Sequence, residues 1–158
     1  MPLPAIGLRL AFRFGEYNRS SQREKLQLAA GTKVEFSSRQ LADVAVVAPV
    51  GQIDHSNAQK LQQALTPMLD QAAAARTPVV LDFTGVEYIS SMGLRVLMVA
   101  AKQMRGAGVR IAVAALQPVV QEIFDIARFK HVMEVFPSVR SALHDLSAPA
   151  LSAYDAAQ

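Results

Sequence analysis

From Lys33 onward the chain switches repeatedly between two hydrophobic patterns. Val34 and Phe36 alternate with Lys33, Glu35 and Ser37, the period-two pattern of a half-buried strand. Residues 44–50 are rich in valine and almost uninterrupted, as expected of a more deeply buried strand, and Gly51 breaks the run. Ala58, Leu61, Leu65, Met68 and Ala72 then recur at helical spacing, with Ser56 as N-cap and Gln59 three residues on. Pro67 inside this run predicts a kink or a split. Residues 79–83 read as a second buried strand, and Gly85 turns the chain. Leu94, Leu97, Met98, Ala101 and Met104 make one apolar helical stripe, closed by Gly106 and Gly108. Val109, Ile111 and Val113 predict the next strand. Pro118 suits the first turn of a helix whose apolar face is Val119, Ile123, Phe124 and Ala127. Residues 132–136 form a short strand, and Ser138 caps a last helix that turns Val139, Ala142, Leu143 and Leu146 inward.

The predicted order is β-β-α-β-α-β-α-β-α. Alternating strands and helices imply an α/β layer structure with a mixed, mostly parallel sheet. This domain spans 33–146. Residues 147–158 are small and polar beyond Pro149 and are expected to be a flexible tail. Residues 1–32 follow no clear period and are expected to be a disordered or loosely packed extension. Within it, 20–30 suits a short helix with Ser21 and Glu24 at capping-box spacing.

Composition narrows the function classes. With 158 residues, 51% of them hydrophobic, the chain can bury a core. It has no cysteine, hence no disulfide framework or thiolate metal site, which is compatible with a cytoplasmic location. No apolar run reaches bilayer length, so no membrane insertion is expected. The net charge is +3, but it is unevenly placed. Residues 1–32 hold five cations (Arg9, Arg13, Arg19, Arg23, Lys25) against Glu16 and Glu24, and the rest balances at eleven each. The folded part thus offers no net positive field to nucleic acid. His55, His131 and His144 lack zinc-ligand spacing. Neither a phosphate-binding Gly-x4-Gly-Lys loop nor a Gly-x-Ser-x-Gly elbow occurs, so no cofactor and no catalytic activity are expected.

The informative stretch begins at Val79-Val80-Leu81-Asp82-Phe83 and ends at Ile89-Ser90-Ser91-Met92-Gly93-Leu94. Two serines stand at the start of an amphipathic helix that follows a buried strand. In open α/β sheets the loops past the carboxyl ends of strands form the functional rim. A helix start also offers free N–H groups and a positive dipole end, which suit an added phosphate. By residue type alone Ser91 is an N-cap candidate, with Ser90 able to take that task instead. Asp54 reads equally as a turn residue or a binding residue, and Asp82 as a local acceptor at a strand end.

This segment resembles the signature of the STAS domains of anti-sigma factor antagonists, in which a strand closing on Asp leads to a hydrophobic-Asp-Ser-Ser-Gly-Leu turn. Gly51-Gln52-Ile53-Asp54 resembles the Gly-x-hydrophobic-Asp element of the same family. Ser90 stands where the family has Asp, and Met92 where it has its second Ser. The resemblance implies a protein-binding switch phosphorylated at Ser91, with Ser90 as the alternative acceptor. It implies a partner surface of Asp54, Ser90, Ser91, Met92, Gly93 and Arg95. It further implies an anti-sigma factor with a GHKL-type serine kinase fold as partner, and a PP2C-type phosphatase. The oligomeric state is expected to be a monomer or weak dimer. The two departures leave room for another role, an unphosphorylated STAS subunit of a lipid-transport ABC system or of a regulatory scaffold.

Overall fold

A computed structural model describes residues 34–158. The extension expected over 1–32, with its helix at 20–30, lies outside the described residues. β1 (Val34–Leu41) and β2 (Val44–Ile53) form an antiparallel hairpin in register from Leu41↔Val44 to Val34↔Gly51. β2 is long enough to serve two parallel partners in succession. Its first half pairs with β3 (Val79–Asp82), and its last residues pair with β4 (Val86–Ile89), ending at Ile53↔Ile89. β5 (Ile111–Ala114) and β6 (Glu134–Phe136) extend the sheet beyond β3. The order is β1-β2-β3-β5-β6, with β4 attached to the end of β2. The expected mixed, mostly parallel sheet is therefore observed.

Two elements differ from the sequence reading at this point. Gly51 does not end β2. It takes φ of 110°, a conformation open to glycine, at the point where the register slips by one residue. Its N–H donates to the Gly85 carbonyl at 2.8 Å. β4 is absent from the predicted order, because four residues with an exposed Glu87-Tyr88 centre carry little periodic signal.

Side chains alternate between two layers, as the period of a strand requires. Ala45, Val47 and Ile53 join the layer under α1 (Ala58–Ala75), α2 (Ser91–Gly106) and α3 (Pro118–Ile126), while Val44 and Val46 face α4 (Val139–Leu146) and α5 (Ala148–Ala156). Phe124 anchors α3 between Phe83, edge-on at 6.2 Å, and Phe129, tilted at 4.8 Å. Such ring pairs add about 0.5–1.5 kcal/mol beyond their burial.

Several local expectations are corrected. α1 begins one residue later than expected, at the N-cap Asn57, and Ser56 instead donates its hydroxyl to Asp54. Pro67 does not split α1, which runs on through it. The carbonyl that loses its donor belongs to exposed Gln63, where water can replace the missing bond. On α2, Met98 is 39% exposed, and the buried face is Val96, Leu97, Ala100, Ala101 and Met104. The helix is rotated toward Val96, so Met98 passes the edge of the contact.

The expected flexible tail is α5. Ser147 closes α4 and caps α5, its Oγ accepting from the Ala150 N–H while donating to the Asp43 carboxylate in the β1–β2 turn. Ala150 is fully buried, Arg140 makes a two-point ion pair with Asp155, and Arg39 of β1 lies 5.5 Å over the Tyr154 ring. Small residues give α5 almost no sequence signature, so these tertiary contacts hold it. We predict that Ser147→Ala, which removes both bonds, lowers stability by about 1–2 kcal/mol in urea denaturation. An unchanged midpoint would mean that α5 is held otherwise.

Candidate functional site

The parallel pair Ile53↔Ile89 brings the ends of β2 and β4 side by side, so the next residues, Asp54 and Ser90, emerge together at the carboxyl edge of the sheet. The Ser90 N–H extends the pairing by donating to the Ile53 carbonyl at 2.7 Å. Ser90 then leaves the strand in extended conformation (φ −87°, ψ 173°) and becomes the N-cap of α2. Its Oγ accepts from the Gly93 N–H at 3.2 Å, and its carbonyl accepts from Leu94 N–H at 2.9 Å. Capping therefore falls to Ser90. Ser91 is the first helical residue and is exposed, and its hydroxyl has no hydrogen-bond partner among the described residues. A hydroxyl in that state can be reached and modified without dismantling the helix start.

Gly93 is where the helix touches the sheet. A Cβ there would stand 2.6 Å from Ile89 Cγ1 and 2.7 Å from Ile53 Cγ2. Only a residue without a side chain lets α2 settle this closely on both strand ends. Gly93 is buried, so its part in the expected partner surface is to seat the helix and not to touch a partner. Met92 and Arg95 are exposed, as a contact surface requires. Outward-facing Met98 and Val99 continue this surface, and Tyr88 of β4 is 42% exposed nearby in sequence.

Asp54 is held in a tight turn. Its Oδ1 accepts from the Ser56 hydroxyl at 2.6 Å and the Ser56 N–H at 2.9 Å. The Ser56 hydroxyl above all holds the carboxyl below its ordinary range, against a smaller opposing effect of desolvation, so Asp54 is an anion at neutral pH. Asn57 organises this turn and was missed in the sequence. It is 3% exposed, accepts from the Asp54 N–H at 2.9 Å, and donates to the Gln52 carbonyl at 2.8 Å. A single Asn before a helix reads as an ordinary cap, and nothing local marks the reach back to Gln52.

Asp82 is not part of this cluster. It lies one residue past the Val47↔Leu81 pair, six residues back along β2 from the level of Ser90, roughly 20 Å away at strand rise. Its Oδ1 accepts from Thr84 Oγ1 at 2.6 Å and the Thr84 N–H at 3.0 Å, which closes the β3–β4 turn. His131 follows α3 in a short 3-10 turn ahead of β6, at the amino edge of the sheet. Ser91 is at the opposite edge, so Ser91, Asp54 and His131 do not assemble as a triad. A cavity of about 290 Å³ lined by Ala101, Arg105, Val109, Arg110, Val132 and Glu134 is at that amino edge as well, away from Ser91.

Residues 35–142 match the model of the STAS domain. The chain belongs to the STAS domain family. The chain is 35% identical over 91 residues to BtrV of Bordetella bronchiseptica, which is named as an anti-sigma factor antagonist. That match covers 58% of this chain and 73% of BtrV. An anti-sigma factor antagonist from Mycobacterium paratuberculosis superposes with a TM-score of 0.62 at 22% identity, covering 72% of this chain and 93% of that one. Unphosphorylated SpoIIAA, also an anti-sigma factor antagonist, superposes at 0.53 with 14% identity, covering 70% and 94%. SpoIIAA is known in a phosphorylated form too, from Bacillus. The STAS resemblance read from the two motifs is borne out. Among the described residues no helix is long and apolar enough to cross a membrane.

The seating of α2 makes a sharp prediction. Gly93→Ala must displace Ile53 or Ile89 and is expected to cost about 1–3 kcal/mol in denaturant unfolding. Met92→Ala, one residue away but exposed, should change stability by less than about 0.5 kcal/mol. Equal effects at the two positions would refute the close approach.

Proposed function

We propose that this STAS domain is an anti-sigma factor antagonist of the partner-switching type: it binds an anti-sigma factor and thereby releases a sigma factor, and phosphorylation of Ser91 abolishes that binding. The observation that carries this reading is the division of labour between the two serines. Ser90 caps the helix, and Ser91 stands exposed and unpartnered one residue on. The identity to BtrV over most of that protein supports the binding role. The forms of SpoIIAA lend the switch chemistry an example on this fold.

The partner surface we propose is the outer face of α2 with the neighbouring strand end. Met92, Arg95 and Val99 stand three and four residues apart and therefore line up, with Met98 beside them. Met92 is 47% and Val99 44% exposed. Apolar residues around a central arginine suit the middle of a protein interface, where Met and Arg are enriched. Ser91 stands at the head of this stripe. The enzymes implied are a serine kinase of GHKL type, the anti-sigma factor itself, and a PP2C-type phosphatase. The domain then needs no catalysis of its own.

The switch follows from charge and volume. A phosphate on Ser91 adds about −1.5 to −2 charges and three acceptor oxygens. Inside an interface it meets desolvation cost and like-charge repulsion of several kcal/mol. Each 1.4 kcal/mol is about tenfold in affinity, so about 3 kcal/mol weakens binding more than a hundredfold. The helix start accommodates the anion, so the domain stays folded.

Ser91→Asp is expected to lose the anti-sigma factor in pull-down, and Ser91→Ala to bind whether or not the kinase is active. Wild-type binding by Ser91→Asp, with phosphoserine mapped to Ser90, would move the switch to the cap. Val99→Asp should weaken the same complex at least tenfold without lowering the unfolding midpoint. Full affinity in that variant would take the partner off the outer face of α2.

A further inference from the structure

We infer that Arg95 is the internal counter-ion of a phosphate on Ser91, so that phosphorylation removes a cation from the partner surface as well as adding an anion. The inference deepens the proposed switch and rests on it. A helical residue meets those three and four positions away, with Cβ atoms about 5–6 Å apart. For Arg95 these positions are Ser91, Met92, Met98 and Val99. None is an acid, and the first turn of α2 contains no acidic residue. Arg95 is exposed, and its guanidinium has no hydrogen bond or ion pair among the described residues. Of the residues in its reach along the helix, only Ser91 can become an anion.

The two states then present different surfaces. Unmodified, the Arg95 guanidinium stands free in the apolar stripe and is available to a carboxylate on the partner. Modified, it has a phosphate one helical turn away and folds onto it. Charge-assisted bonds between guanidinium and phosphate are strong and two-pronged, and the planar fork suits them better than an ammonium does. The other charged groups on the elements that meet this turn are Asp54 and His55 beyond β2, Lys60 in the first turn of α1, and Glu87 on β4. The Asp54 Oδ1 accepts from Ser56, and among the described residues no ion pair joins Asp54 to Arg95.

The test uses the full chain carrying phosphoserine at position 91, introduced during translation so that no kinase is required. Phosphorus NMR reads the second ionisation of the phosphate. Arg95→Ala should raise that pKa by about 0.2–0.4 unit, the size expected of an ion pair one helical turn apart. Arg95→Lys should recover part of the shift. Lys102→Ala is the control, being exposed on the same helix about 16 Å beyond Ser91 along its axis, and should leave the pKa unchanged. No rise in Arg95→Ala, or an equal rise in Lys102→Ala, would overturn the pairing. Phosphopeptide mapping of the native protein is read separately. Absence of phosphate at Ser91 there would defeat the switch while leaving the NMR result on Arg95 standing.

Discussion

The site depends on one close contact, the approach of the first turn of α2 to the ends of β2 and β4. Parallel pairing aligns Ile53 with Ile89, and Gly93 settles on both side chains where any Cβ would collide. The Ser90 N–H ties the helix start to the Ile53 carbonyl. From this contact follow the direction of α2, the depth at which it sits, and which of its residues reach solvent. Because Gly93 is pressed inward, Ser91 and Met92, between the cap and Gly93, are left outside.

The same contact explains how the chain tolerates serine where its relatives in the family pattern have aspartate. An N-cap needs an oxygen that accepts from the third helical residue, and a hydroxyl serves nearly as well as a carboxylate. Ser90 does this at 3.2 Å. What is lost is the negative charge at the positive end of the helix, and none is supplied elsewhere in the first turn. A phosphate on Ser91 would restore that charge, and Arg95 is the group along the helix placed to answer it. Asp54 carries an anion at the adjacent strand end, kept ionised by Ser56.

Around this rim the rest of the domain acts as support. Three helices cover one face of the sheet through a continuous apolar layer, and α4 and α5 cover the other. α5 is held by polar contacts that span distant parts of the chain, from Asp43 in the first turn to Arg140 on α4. A binding surface that keeps its shape when charged needs such a rigid base, because the proposed switch works by repulsion at the surface and not by refolding.

The α/β class, the order of the longer elements and the family are all legible in the amino-acid sequence. Strand and helix periods, together with the Gly-Gln-Ile-Asp and Ser-Ser-Met-Gly-Leu motifs, are local properties of the chain. The sequence also placed Ser90 and Ser91 at a helix start but could not divide their tasks, since a serine at either position can cap. Tertiary structure decided that division through the Ser90–Ile53 bond. It decided too that Gly93 packs inward, that Met98 faces out and that Asp82 belongs to another turn. β4 and α5 were invisible beforehand for the same reason. Four residues with a polar centre and nine mostly small ones carry almost no periodic signal, and each owes its form to partners far away in the sequence: β2 for the one, β1, α4 and the Asp43 turn for the other.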